Sequence, residues 1–181
     1  MAAAQHIRGS FSGVLGSLFF PALFLLAYDT GGRSGVIWSL EWADYRPEIP
    51  AVLFRAERQK QRRDQLIKIS EQTKTAIERI KAPERRLIFD LGRGWQMRYY
   101  YVKKCLKAAG LPHGRNDQLK RIRKTTLSMM HSLGGDATAQ AGHSSDAVTR
   151  KHYLDISNQK QAADLLLRPT ISGNDSQLRL F

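Results

Sequence analysis

Four short stretches carry side chains suited to phosphate chemistry. The first is Thr30-Gly31-Gly32-Arg33-Ser34-Gly35, with Leu40-Glu41-Trp42-Ala43-Asp44 behind it. The second is Lys60, in a basic run with Arg55, Arg58, Arg62 and Arg63. The third is Lys120-Arg121-Ile122-Arg123-Lys124-Thr125. The fourth is Ala141-Gly142-His143-Ser144-Ser145, with Tyr153 ten residues beyond the histidine. Fixed guanidinium groups stay protonated and bind two oxygens at once, so they suit a phosphate on which negative charge builds. Each stretch has a plainer reading when taken alone. Arg33 at a helix start can simply solvate a turn, and a single basic cluster is usually a solvated face.

The whole chain favours the phosphate reading. Its 181 residues hold 29 Lys+Arg against 16 Asp+Glu, a formal net charge of +13. Such an excess points to a polyanion such as nucleic acid, or to an anionic membrane face. The charge gathers in three clusters: Arg55 to Arg63; Arg98, Lys103, Lys104 and Lys107; and Arg115, Lys120, Arg121, Arg123 and Lys124. Neutralising several phosphates releases counterions, so binding should be steeply salt-dependent. The length fits one domain, and 42% hydrophobic residues suffice for a core. A single cysteine, Cys105, excludes a disulfide scaffold and a cysteine-based structural zinc site.

Taken in order, the four stretches resemble the catalytic domain of the tyrosine recombinases, the phage-integrase family, over about residues 15–160. That family pattern is an Arg in a T-G-x-R turn, a hairpin Lys, an H-x-x-R helix, a G-H-[ST]-[ST] motif and a Tyr nine or ten residues on. The resemblance implies site-specific cutting and rejoining of DNA. Tyr153 would be the nucleophile, forming a covalent 3′-phosphotyrosine and freeing a 5′-hydroxyl. Arg33 and Arg123 would stabilise the five-coordinate transition state, and His143 would hydrogen-bond the phosphate. Lys60 would protonate the leaving 5′-oxygen, although Arg58, Arg62 and Arg63 lie beside it. Lys120 stands where the family usually has a His that helps accept the tyrosine proton, and Val36 where it often has a Glu that supports the first Arg. Arg55, Arg58, Arg62, Arg63, Lys103, Lys104, Arg121 and Lys124 would track the duplex.

The covalent link conserves the bond energy, so the resemblance implies no metal and no cofactor. It implies double-stranded DNA as partner, tetramer assembly on that DNA, no membrane, and a cytoplasmic, nucleoid-associated site in a bacterium or phage. It also implies that the family's usual N-terminal core-binding domain is absent here. Two alternatives from the same residues are a degenerate, non-catalytic DNA-binding protein of this fold and a type IB topoisomerase-like activity. Tyr99, Tyr100 and Tyr101 read as packing or DNA-backbone contacts, and His113 and His152 as surface residues.

These residues need elements to hold them. The expected class is α+β and mostly helical, a small antiparallel sheet of two to three strands on a helical bundle. Residues 1–12 read as a loose N-terminus, 13–168 as the catalytic domain and 169–181 as a mobile tail. The uncharged run from Gly9 to Tyr28 holds, after residue 12, helical material to about Tyr28 that is broken near Pro21 and reads as a buried helix in preference to a membrane segment. A second helix is expected from Arg33 to Leu40. Ala51–Phe54 and Leu66–Ile69 read as strands with a basic hairpin tip between them. Ser70 should cap a helix Glu71–Lys81, and Leu87-Ile88-Phe89 is a strand or a loop anchor. Further helices are expected over Trp95–Ala109, Asp117–Leu133, from Asp136 to Gln140, from Ser144 or Ser145 to about Leu154, and over Gln159–Leu167. The last, with Leu165-Leu166-Leu167, would pack on a neighbouring protomer or on its own domain.

Overall fold

A computed structural model of the chain describes residues 2–60, 62–82, 84–92, 94–142 and 147. His143, Tyr153, the two helices expected after Gly142 and the expected tail lie outside the described residues.

The chain begins with a short helix, α1 (Ala2–Gln5), and a small hairpin of β1 (Ser10–Phe11) and β2 (Val14–Leu15). Helix α2 (Gly16–Thr30) and helix α3 (Ser34–Trp38) follow. A 3-10 turn at Trp42–Asp44 leads into β3 (Tyr45–Arg46) and β4 (Ala51–Phe54). A second 3-10 turn, Ala56–Arg58, precedes β5 (Gln65–Lys68). Four helices complete the described chain: α4 (Glu71–Glu78), α5 (Trp95–Ala108), α6 (Leu119–Ser132) and α7 (Ala137–Ala141). The fold is α+β, mostly helical, as its periodicity indicates.

Helix α2 is the centre of the molecule. Phe19, Phe20, Leu23 and Leu26 have no exposed surface, and every residue from Phe19 to Ala27 is buried. A helix apolar on all sides must be enclosed on all sides, and α2 packs against α1, α4 and α6. Its 15 residues span only about 22 Å. No described helix is long and apolar enough to cross a membrane. The expected break at Pro21 does not occur, for Pro21 lies inside the helix and is buried. Proline's fixed φ is helical, and near the helix start only one hydrogen bond is lost, so burial of the surrounding rings prevails.

The N-terminus is packed, not loose. Ala4, Ile7 and Phe11 are buried, and the Phe11 ring sits 5.3 Å from Phe20 and 4.6 Å from Tyr101, edge-on to both. The two residues between β1 and β2, Ser12 and Gly13, both have positive φ, at 44° and 81°. That conformation matches the twist of a tight hairpin and folds Phe11 back onto the core.

The larger sheet runs β3-β4-β5, all antiparallel, with Val52 opposite Ile67 and Phe54 opposite Gln65. The expected strand at Leu66–Ile69 lies one residue earlier, with Ile67 and Ile69 buried and Leu66 and Lys68 exposed. Ser70 caps α4 as expected, its hydroxyl accepting from the Thr73 amide at 3.3 Å. Leu87 bridges to Glu41 and the Ile88 amide donates to the Leu40 carbonyl at 2.9 Å, so this segment is an anchor for fully buried Ile88 and Phe89.

Candidate functional site

The Thr30-Gly31-Gly32-Arg33 turn is shaped by two different demands on its glycines. Gly31 closes α2 in the left-handed region at φ 58°, its amide donating to Ala27 at 3.0 Å, a conformation glycine adopts without penalty. Gly32 is a matter of space. A Cβ there would lie 2.7 Å from the Phe54 ring and 3.0 Å from Ile37, so the turn presses directly on β4. The Thr30 hydroxyl donates to the Leu26 carbonyl at 2.7 Å and accepts from the Gly32 amide at 3.1 Å. Arg33 then stands half-buried at the N-terminus of α3, with extended backbone.

Arg123 joins this turn to the far side of the site. Leu119, Arg123 and Leu127 recur every fourth residue of α6 and are all buried, so the guanidinium is carried inward on the helix's packed face. Its Nη1 donates to the Gly31 carbonyl at 2.5 Å and its Nη2 to the Ala141 carbonyl at 3.0 Å. Thr126, one turn on, donates to the Tyr28 carbonyl at 2.8 Å. Lys120 is exposed, whereas Arg123 is 4% exposed.

Helix α7 gathers further links. Asp136 caps it, accepting from the Ala139 amide at 2.8 Å. Gln65 at the start of β5 donates to the Ala139 carbonyl at 2.6 Å. Gln140 donates to the Thr30 carbonyl at 2.9 Å. Gly142 ends the helix in the left-handed region at φ 62°, and His143 is the next residue. The Arg33 turn, the Arg123 helix, the β4–β5 hairpin and the segment leading to His143 are thus tied into one web. Sequence reasoning did not find Gln65, Thr126 or Gln140 as its links, because an uncharged polar residue gives no local sign of its partner.

Two of the residues expected to track the duplex, Arg55 and Arg58, pair with carboxylates within the fold. The Arg55 Nε and Arg58 Nη1 both engage Asp44, the latter at 3.0 Å, while Arg58 Nη2 pairs with Glu41 and Nη1 also reaches the Ser39 carbonyl. Asp44 has no exposed side chain, and Glu41 also pairs with Arg86 at 3.2 Å. The hydrogen bond and negative charge of Asp44 push the Arg55 pKa above its usual value. A carboxylate removed from water needs cations nearby, and these two arginines supply them. Arg62 and Arg63 are exposed, as is Lys60 in the same loop.

The remaining basic residues expected at the duplex lie on α5 and α6. Lys103 and Lys104 are exposed on α5 beside exposed Tyr100, while Tyr101 packs into the core. Arg121 is exposed and pairs with Asp117 at 2.9 Å, and Lys124 is half-buried. His113 is half-buried with its Nδ1 3.0 Å from the Leu111 carbonyl. Among the described residues, no group of three or more His, Cys, Asp and Glu side chains is placed to hold a metal ion.

No family model matches the chain, and no curated protein matches it in sequence. Among solved structures, the crystal structure of XerA recombinase matches with a TM-score of 0.67 at 16% identity, over 84% of this chain and 60% of that one. The chain therefore spans about 60% of the length of that recombinase. At this identity the likeness is one of architecture: the chain has an α+β, tyrosine-recombinase-like fold.

Proposed function

We propose that the chain is a DNA strand-transfer enzyme of the tyrosine-recombinase type, acting at specific sites on duplex DNA. In this reading the Tyr153 oxygen attacks a backbone phosphorus and the bond to the 5′-oxygen breaks. Lys60 gives that oxygen its proton, and Lys120 helps take the proton from Tyr153. Arg33, Arg123 and His143 stabilise the charge on the non-bridging oxygens. The product is a 3′-phosphotyrosine and a free 5′-hydroxyl, and attack by another 5′-hydroxyl reverses the step. The basic loop at Arg62 and Arg63 and the α5 lysines would hold the duplex, and strand exchange would join four copies on two duplexes.

The observation that carries this reading is the position of Arg123. One guanidinium links the Gly31 carbonyl, two residues before Arg33, to the Ala141 carbonyl, two residues before His143. The turn before Arg33, helix α6 and the C-terminal end of α7 thus meet at one guanidinium, which supports a shared phosphate site. The test is a pool of nicked duplexes of randomised sequence, read for detergent-resistant protein–DNA adducts. Wild-type protein should form adducts and Tyr153→Phe should form none. Absence of any wild-type adduct would remove the enzymatic reading.

A second reading is favoured by the same residue. Arg123 is 4% exposed and both of its Nη atoms donate to main-chain carbonyls, which suits a structural tie in a non-catalytic DNA-binding protein. Salt-dependent duplex binding without adducts would select it.

A further inference from the structure

The loop between β4 and β5 presents an exposed lysine from a closely tied base. Gln59, the residue before Lys60, is 8% exposed. Its Nε2 donates one hydrogen to the Phe54 carbonyl at 2.9 Å and the other to the Arg63 carbonyl at 2.8 Å. The two acceptors lie on opposite arms of the loop, so one carboxamide closes it. The Asp64 carboxylate adds a second closure, accepting from the Ala56 amide at 2.7 Å. Arg58 fastens the same loop to Asp44 and Glu41. On the far arm, Arg62 holds a left-handed conformation at φ 48°, its amide donating to the Gln59 carbonyl at 3.2 Å. A non-glycine residue keeps that conformation only where its surroundings fix it.

The chemistry at position 59 is restrictive. Two carbonyls, that of buried Phe54 and that of Arg63, face one side chain, so that side chain must donate twice. A glutamate would set an acceptor against acceptors, and a lysine would bury a charge. Glutamine donates both hydrogens without a charge, and its burial leaves the next residue at the surface.

We propose that Gln59 is a positioning residue that fixes the loop so that Lys60 reaches the leaving 5′-oxygen. This inference rests on the reading in which Lys60 is the proton donor. General acids contribute about 10²–10⁴-fold when held in place, and a loosened loop forfeits much of that. A sulfur leaving group needs no proton, because a thiol ionises near neutral pH with a pKa of about 8.5.

The test measures adduct formation on two nicked duplex pools of randomised sequence, one ordinary and one carrying 5′-bridging phosphorothiolate linkages. Wild type, Lys60→Ala, Gln59→Met and Gln59→Asn are compared. Gln59→Met should slow the ordinary pool at least tenfold and leave the phosphorothiolate pool at the wild-type rate, the pattern expected of Lys60→Ala. Gln59→Asn, which keeps both donors on a shorter arm, should show the same selectivity to a smaller degree. The unchanged phosphorothiolate rate doubles as a check that the variants fold. Rescue of Lys60→Ala without rescue of either Gln59 variant overturns the role of Gln59 alone, as does a wild-type rate for Gln59→Met on the ordinary pool. Equal slowing of Lys60→Ala on both pools overturns the role of Lys60 and this inference with it. A wild-type protein inactive on both pools overturns the enzymatic reading itself.

Discussion

Arg123 is a cation with almost no contact with water, held by two carbonyls from segments far apart in the chain. Arg123→Met keeps the apolar stem and removes both donors, leaving two carbonyls unpaired. It should cost about 2–6 kcal/mol, since each orphaned buried acceptor costs about 1–3 kcal/mol, and a urea midpoint will read the loss. Cys105 offers an independent check on the core. Burial pushes its thiol up from 9.0 to about 12. The unfolded chain ionises this thiol from about pH 9, whereas the folded chain keeps it neutral. Its contribution is therefore complete below pH 9 and declines at about 1.4 kcal/mol per pH unit up to the folded value. Tyr45, raised by burial and by Glu78, adds the same sign of dependence above its ordinary 10.0. Unfolding measured against pH should flatten between 9 and 10 in Cys105→Ala. At this scale the Thr30-Gly31-Gly32 turn was readable because glycine meets a local demand there, of backbone conformation at Gly31 and of space at Gly32. Arg55 and Arg58 were not readable as carboxylate partners. Their own stretch is basic, and the acids that claim them, Glu41 and Asp44, are 11 to 17 residues earlier.

Among the elements, α2 and the turn that follows it set the position of the rest. Asp29 at the end of α2 accepts from the Ser70 amide, the Ser70 hydroxyl and the Thr73 hydroxyl at 2.6–2.7 Å, which fixes the start of α4. The Gly32 approach to Phe54 fixes α2 and α3 against the sheet. Gly32→Ala must move the ring or the turn, and overpacking of this kind costs about 1–3 kcal/mol. The variant should lose that stability in a thermal melt, while Gly35→Ala, where a Cβ meets nothing within 4 Å, should melt close to wild type. The long helices and the β4–β5 hairpin were legible because apolar periodicity, capping residues and turn residues agree over many positions. The N-terminal hairpin and β3 were not, because strands of two residues have no period to read. Pro21 misled for a related reason: local propensity indicates a break, and enclosure of the whole helix overrides it.

At the scale of the molecule, the charge of +13 divides into cations paired within the fold and cations facing water. Arg55 and Arg58 belong to the first group, and Lys103 and Lys104 to the second. If the second group meets phosphates, a Lys103→Ala/Lys104→Ala variant should flatten the plot of log affinity for duplex DNA against log salt by about 1.8, at about 0.9 per phosphate contact. Arg55→Ala should leave that slope at its wild-type value. The composition shows the excess of positive charge, yet only the folded chain separates the two groups. The proposed function places a phosphodiester-transfer site around Arg123. It is tested most directly by digesting the detergent-resistant adduct and finding the residue that carries the nucleotide. A recombinase-type transfer requires the 3′-phosphate on Tyr153, with adduct lost in Arg123→Lys as well as in Tyr153→Phe. Linkage to Tyr99, Tyr100 or Tyr101, or an adduct that survives Tyr153→Phe, would contradict it.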